Sequence, residues 1–225
     1  MAARDSLIAA GLEEYEYIAT AGPRTCSTCS NLNGTIHLLA EYSPGTNAPP
    51  MHPRCRCTIS VVVSGGKRTA KDSSGKNIKV PAEMRYADYK AVYLDRTVTF
   101  EQWRSEKIKT VLQVAMIENK IKGELEYPPP KMDLSEYKFD AEHTQGDKHP
   151  HAVTEEEARQ FIEDAYFMIK KWNGKSYNYY GREGAAFVLI GLKTIRTAFK
   201  REEYDLKIQR LIEVYENEYK KLFES

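Results

Sequence analysis

The chain has 225 residues, 41% of them hydrophobic and 29% charged. That is enough apolar material for a core and excludes wholesale disorder. Its 33 basic and 32 acidic side chains leave a formal charge of +1, which excludes a histone-like polycation and an acidic tail protein. No apolar stretch approaches the roughly 20 residues that a membrane-spanning helix needs. The longest, Phe187–Ile190, is strand-sized.

In chain order, the N-terminal segment MAARDSLIAAGLEEYEY lacks the apolar run of a signal peptide. Charge and composition then divide the chain into three parts: a cysteine-rich module (1–66, net −1), a basic linker and helical connector (67–130, net +4) and a C-terminal domain (131–225, net −2). The connector opens on Ser64–Asn77, a Gly/Ser/Lys-rich run that reads as a flexible linker or an exposed hairpin. Thr99 and Gln102 form a capping box before a helix whose apolar face carries Phe100, Trp103, Ile108, Val111, Leu112 and Ala115. The prolines at 128–130 end it. In the C-terminal domain a second capping box, Thr154–Glu157, starts a helix expected to run to Lys171, with Asn173-Gly174 as the stop. Three β-like runs follow, Ser176–Tyr180, Ala185–Ile190 and Lys193–Phe199, and then a closing amphipathic helix, about Glu202–Phe223. Helix, antiparallel meander and helix make an α+β layout.

All four cysteines lie between Cys26 and Cys57. Cys26 and Cys29 are separated by two residues; after 22 more comes His52-Pro-Arg-Cys55-Arg-Cys57. A Cys-x-x-Cys knuckle offers two soft ligands, and a second knuckle supplying two more closes a tetrahedron around one structural zinc. Five candidates compete for four places. All four thiols form one set; Cys26, Cys29, His52 and Cys55 form another. The bland alternatives are one or two disulfides, or four reduced thiols. A catalytic zinc is disfavoured because the cluster offers more ligands than an open site needs. His37 reads as a half-buried strand residue.

These residues carry a resemblance. Tyr17–Thr20, Arg24–Cys29, Leu32–Gly34 and Gly45–Cys57 resemble the C-terminal module of tailed-phage minor head proteins of the Mu F type. The resemblance covers about residues 12–63. It implies association with head and portal components and a location in the virion and the host-cell cytoplasm. In that family the module ends a longer, mostly helical protein, so this chain reads as the C-terminal portion of such a protein or a shortened prophage relative.

The second informative stretch is Asp140–His151, with His143, Lys148, His149 and His151 inside nine residues. Metal-independent RNA cleavage needs a base for the 2′-hydroxyl, an acid for the leaving oxygen and cations for the phosphorane. Imidazoles serve both proton roles near neutral pH. Solvated turns before helices are also often His-rich, and His151 reads as a bystander. On the last strand, alternation sets Arg196 and Ala198 on one face, with Ile195, Thr197 and Phe199 on the other; a bulge would change this. Tyr177, Tyr179 and Tyr180 are candidates for base stacking, or for the core. A zinc site built from the three histidines would lack a thiol.

The order of His143, Lys148-His149, Asn178–Gly181, Gly184–Ala186 and Ile195–Phe199 resembles phage-borne nuclease domains of the barnase–EndoU–colicin–RelE-like superfamily. That resemblance implies a helix packed on a four-stranded antiparallel sheet, of which only three strands are evident. It also implies ribonuclease activity with no catalytic cofactor, His143 and His149 as acid and base, Lys148 and Arg196 as phosphate stabilisers, and Thr197 as a positioning hydroxyl. The implied partners are an RNA substrate such as tRNA and an immunity protein. The non-enzymatic alternative is a head morphogenesis protein with a zinc-stabilised module.

Overall fold

A computed structural model describes residues 2–62, 65–146 and 151–223. The chain is α+β and forms two compact units: residues 1–103 with 221–225, and residues 104–220. The basic connector is therefore divided between two bodies.

In the first unit, α1 (Ala2–Ala9) precedes β1 (Glu14–Ile18). The next elements are α2 (Ser27–Leu32), β2 (Ile36–Leu38) and β3 (Thr58–Ser60). The three strands form an antiparallel sheet in the order β2-β1-β3, with Tyr17 opposite Ile59. Alternation along β1 buries Tyr15 and Tyr17. Tyr15 packs with Leu7, Leu39, Ala48 and Ile59, whereas Tyr17 packs with Ala19 and Cys29. The Gly/Ser/Lys run is a hairpin, β4 (Lys67–Lys71) and β5 (Asn77–Pro81), in the antiparallel register Thr69 to Lys79. Its turn is organised by the Asp72 carboxylate, which accepts from the Ser74 and Lys76 amides at 2.9 and 3.0 Å. Ala70 and Val80 are buried. Arg68 donates to the Asn33 side chain at 3.1 Å, and the same oxygen accepts from the Ala19 amide at 3.0 Å. The lysines thus alternate with inward-facing residues, Arg68 among the latter, and the hairpin is part of the first unit. α3 (Tyr86–Tyr89) follows, and its Tyr86 hydroxyl donates to the Gly22 carbonyl at 3.0 Å.

α4 (Phe100–Glu118) begins at the expected capping box, with Thr99 and Gln102 exchanging hydrogen bonds of 3.1 and 2.8 Å. In the second unit, β6 (Glu124–Glu126), β7 (Lys138–Phe139) and α5 (Ala141–Gln145) precede α6 (Glu155–Glu163). β8 (Ala165–Lys171), β9 (Ser176–Gly181), β10 (Gly184–Leu189) and β11 (Thr194–Lys200) form an antiparallel meander, and α7 (Leu206–Phe223) follows. The sheet order is β6-β8-β9-β10-β11-β7, with β7 parallel to β11.

The expected helix from Thr154 to Lys171 is corrected here. Its capping box forms, but the helix stops at Glu163, and Ala165–Lys171 is the strand missing from the sequence reading. Three glutamates in the first turn suit the helix dipole, whereas Glu163 and Asp164 fall where it disfavours them. In β8, Met168 faces the α6 core while its neighbour Phe167 approaches Tyr215 of α7, with ring centroids 6.3 Å apart. A strand buried on both faces is apolar at every position, so its residues also satisfy a helical periodicity.

The core on the α6 side gathers Ala158, Phe161, Ile162, Met168, Tyr179, Ala186 and Ala198. On the other face Phe167, Tyr180 and Phe199 meet Tyr204 and Tyr215. Burial pushes the Tyr179 and Tyr180 phenols up from 10.0 to about 12. A raised folded-state pKa means that stability is fully present below the unfolded value of 10.0 and is lost as pH climbs toward 12. In an alkaline titration followed by ultraviolet difference absorbance, these phenols should ionise two pH units late and together with loss of near-ultraviolet dichroism. Ionisation at 10.0 with the fold intact would refute this burial.

Candidate metal centre

Cys26 is the N-cap of α2, with extended backbone angles, and its sulfur accepts from the Cys29 amide at 3.5 Å. One helical turn therefore brings both sulfurs of the Cys-x-x-Cys pair to one place. The second knuckle is a turn in which the Cys55 amide donates to the His52 carbonyl at 3.1 Å. The His52 ring is oriented by Nδ1, which lies 2.9 Å from the Pro53 carbonyl oxygen. Since that oxygen only accepts, Nδ1 carries the proton and Nε2 keeps a free lone pair. Nε2 points at two sulfurs, 3.3 Å from Cys26 Sγ and 3.4 Å from Cys29 Sγ.

The sulfurs of Cys29 and Cys55 are 3.9 Å apart. A disulfide requires about 2.05 Å, and all four cysteines are free. With Zn–S of about 2.3 Å and Zn–N of about 2.05 Å, a tetrahedron has S···S edges of about 3.8 Å and S···N edges of about 3.6 Å. Three separations, Cys26 to His52, Cys29 to His52 and Cys29 to Cys55, lie within a few tenths of an ångström of those edges. Two triads have all their donor atoms within 4.8 Å of one another: Cys26, Cys29 and His52, and Cys29, Cys55 and Cys57. Cys29 belongs to both. It is buried, and its sulfur accepts a hydrogen bond from the Tyr17 hydroxyl at 3.4 Å, which ties the cluster to β1. The donor set could hold a metal ion.

The electrostatics are uneven. A hydrogen bond from the Cys29 amide lowers the Cys26 pKa. Burial opposes the Cys55 thiolate, but hydrogen bonds from the Met51 and Cys57 backbone bring its pKa down to about 7. Burial pushes Cys29 up, and a cation beside it would favour its thiolate.

Residues 2–60 match the model of a family described as Phage Mu protein F like protein. The matched segment contains β1, both knuckles and β3, so the resemblance read from residues 12–63 is supported over the cysteine–histidine cluster. No curated protein and no solved structure matches the chain.

The nuclease-like residues of the second unit fall in several environments. Arg196 is the extra residue of a β-bulge: Phe187 pairs with Thr197 and Val188 with Ile195. The bulge brings Ala198 into the α6 core beside Ile195, so simple alternation fails. Arg196 is exposed, and its guanidinium lies 3.2 Å from the Asp140 carboxylate. The same carboxylate caps α5 by accepting from the His143 amide at 3.0 Å. Asp140, which the sequence reading did not single out, thus joins the His143 helix to the Arg196 bulge. The pattern that could have revealed it is an N-capping aspartate three residues before His143. Thr197 is half-buried, while Lys148 and His149 lie outside the described residues. Tyr177 is half-buried at the edge of the α6 core, and Tyr179 and Tyr180 are packed into opposite faces of the sheet. His151 packs on Phe199 and pairs through Nδ1 with Glu203 at 2.6 Å, so it is a structural contact of β11.

Proposed function

We propose that the chain is a phage head component whose N-terminal unit is organised by one structural zinc ion held by Cys26, Cys29, His52 and Cys55. The observation that carries this reading is the His52 imidazole, locked by the Pro53 carbonyl with Nε2 within 3.4 Å of two cysteine sulfurs. The match to a Mu F-like family over the same residues supports the head assignment. Four protein ligands leave no position for substrate, so the ion's role is to staple α2 to the 52–57 turn. Head and portal proteins are the proposed partners, and the virion, after the host-cell cytoplasm, is the proposed location. Protein purified without added zinc should contain one equivalent per chain, and tagged chain expressed during infection should sediment with heads. Metal-free protein with an unchanged melting curve would overturn the zinc reading, and absence from heads the other.

A second reading concerns the C-terminal domain: metal-independent RNA cleavage by His143 and His149, with Lys148, Arg196 and Thr197 on the phosphate. One contact favours it, the Asp140 carboxylate that tethers the Arg196 bulge to the cap of the His143 helix. On this reading an incoming phosphate displaces Asp140 from the guanidinium, tRNA is a substrate, and a producing cell needs an immunity protein. The purified chain should then cut bulk tRNA in EDTA, with loss of cleavage in the His143→Ala, His149→Ala double variant. No cleavage, or equal cleavage by that variant, sinks this reading.

A further inference from the structure

Outside the metal centre and the histidine segment, the β8–β9 turn carries a feature that neither uses. Trp172, Asn173 and Gly174 have successive φ values of +52°, +53° and +79°. Two of these are non-glycine residues in the left-handed region, and a bulky aromatic is rare there. Trp172 is nonetheless 69% exposed and makes no ring contact with another described residue. The turn closes through the Lys175 amide, which donates to the Trp172 carbonyl at 3.2 Å. Backbone groups alone make that bond, and the strained turn holds the indole out in solvent.

The surroundings are cationic. Lys122 and Lys171 line the same depression as Trp172, and Lys175 is the exposed last residue of the turn. None of these three ammonium groups has a carboxylate partner among the described residues, whereas neighbouring Lys170 is paired with Glu126 at 2.5 Å. Glu124 in the lining offsets one positive charge. Lys122 reaches the turn because Gly123, at φ +132°, lies flat against β8: a Cβ there would stand 2.4 Å from Ile169 Cγ2 and 2.7 Å from the Lys170 carbonyl oxygen.

We propose that Trp172 with Lys122, Lys171 and Lys175 forms a binding site for single-stranded nucleic acid, the indole stacking on a base and the lysines holding the flanking phosphates. An indole offers a flat apolar surface to any base, and ammonium groups from the β8–β9 turn and from Lys122 beside it supply positive charge for the flanking phosphates. A single strand fits because only its bases are free to stack. The site is independent of the metal and of the histidine segment.

The test uses the full chain and an oligo(dT) of about 12 nucleotides, read by anisotropy and by tryptophan fluorescence. Trp103 is buried, so quenching reports Trp172. Binding to the single strand should quench fluorescence. Trp172→Ala should weaken it roughly tenfold, with an unchanged melting temperature because the side chain is exposed. Lys122→Ala, Lys171→Ala and Lys175→Ala should each flatten the slope of log affinity against log salt by about 0.7. Three results would overturn the proposal: no binding, equal binding by Trp172→Ala, or duplex of the same length bound as tightly as the single strand. Trp172-dependent capture of anionic phospholipid vesicles without oligonucleotide binding would overturn it in favour of a lipid surface.

Discussion

Replacing Cys29 with serine is expected to abolish metal retention and to remove the cooperative unfolding of the first unit. Cys29 is the one donor shared by both triads, and it is buried under Tyr17. On the zinc reading, its loss removes a ligand whichever fourth donor completes the site. Structural zinc in small knuckles contributes about 10–16 kcal/mol of apparent binding energy at neutral pH, which is also folding energy. The apolar support around the cluster is small: Tyr17 and Ala19 are buried beside Cys29, with Leu32 and Met51 partly so. Such a core does not offset a loss on that scale. Metal analysis should fall from one equivalent to near none, and chelator should shift the melting curve of wild type to that of Cys29→Ser. Cys57→Ser is the informative control, because with His52 as a ligand it keeps the metal. The zinc reading fails if Cys29→Ser retains a full equivalent, and the His52 ligand set fails if Cys57→Ser loses it.

Gly184→Ala should destabilise the second unit by about 3 kcal/mol or more. Gly184 opens β10 opposite Lys200, directly beneath α6. A Cβ at this position would lie 2.4 and 2.6 Å from two ring atoms of Phe161 and 2.6 Å from the Phe199 carbonyl oxygen. The ring has little room, since Phe161 is buried in the core of α6. The carbonyl has less, because it is backbone in the strand next to the new methyl. Only a shift of α6 or local opening of the β10–β11 ladder relieves the contact. Denaturant unfolding should show a lower midpoint with an unchanged slope. Adding Phe161→Leu should restore part of the loss, by shortening the ring side of the clash while the carbonyl side stays. A Gly184→Ala variant within 0.5 kcal/mol of wild type, the usual span of a surface substitution, would show that α6 does not sit on β10 as described.

Local signals were legible wherever the chemistry is local. Both capping boxes form as read, because side-chain and amide partners three residues apart need no tertiary help. Strands β9, β10 and β11 fall within about a residue of the expected runs, bounded by glycine turns. The failures share a cause. β8 was read as helix because burial on both faces erased its alternation. The bulge at Arg196 depends on how β10 and β11 register against each other. For Tyr179 and Tyr180 the sequence left base stacking and core packing both open, and adjacent strand positions send them into opposite cores.

By itself the sequence pointed to the cysteine–histidine cluster as a candidate metal site, since Cys-x-x-Cys and His-x-x-Cys are each one turn long and are organised by local hydrogen bonds. It also determined the α+β class and the positions of the caps and most turns. Tertiary structure alone decided that the two donor triads share Cys29, because the meeting of the knuckles depends on β1 pairing with both β2 and β3. It also decided that Asp140 binds Arg196, and that the basic run at 67–81 folds as a hairpin of the first unit. Those outcomes rest on contacts between residues tens of positions apart, where strand register and burial choose among partners that look equivalent along the chain.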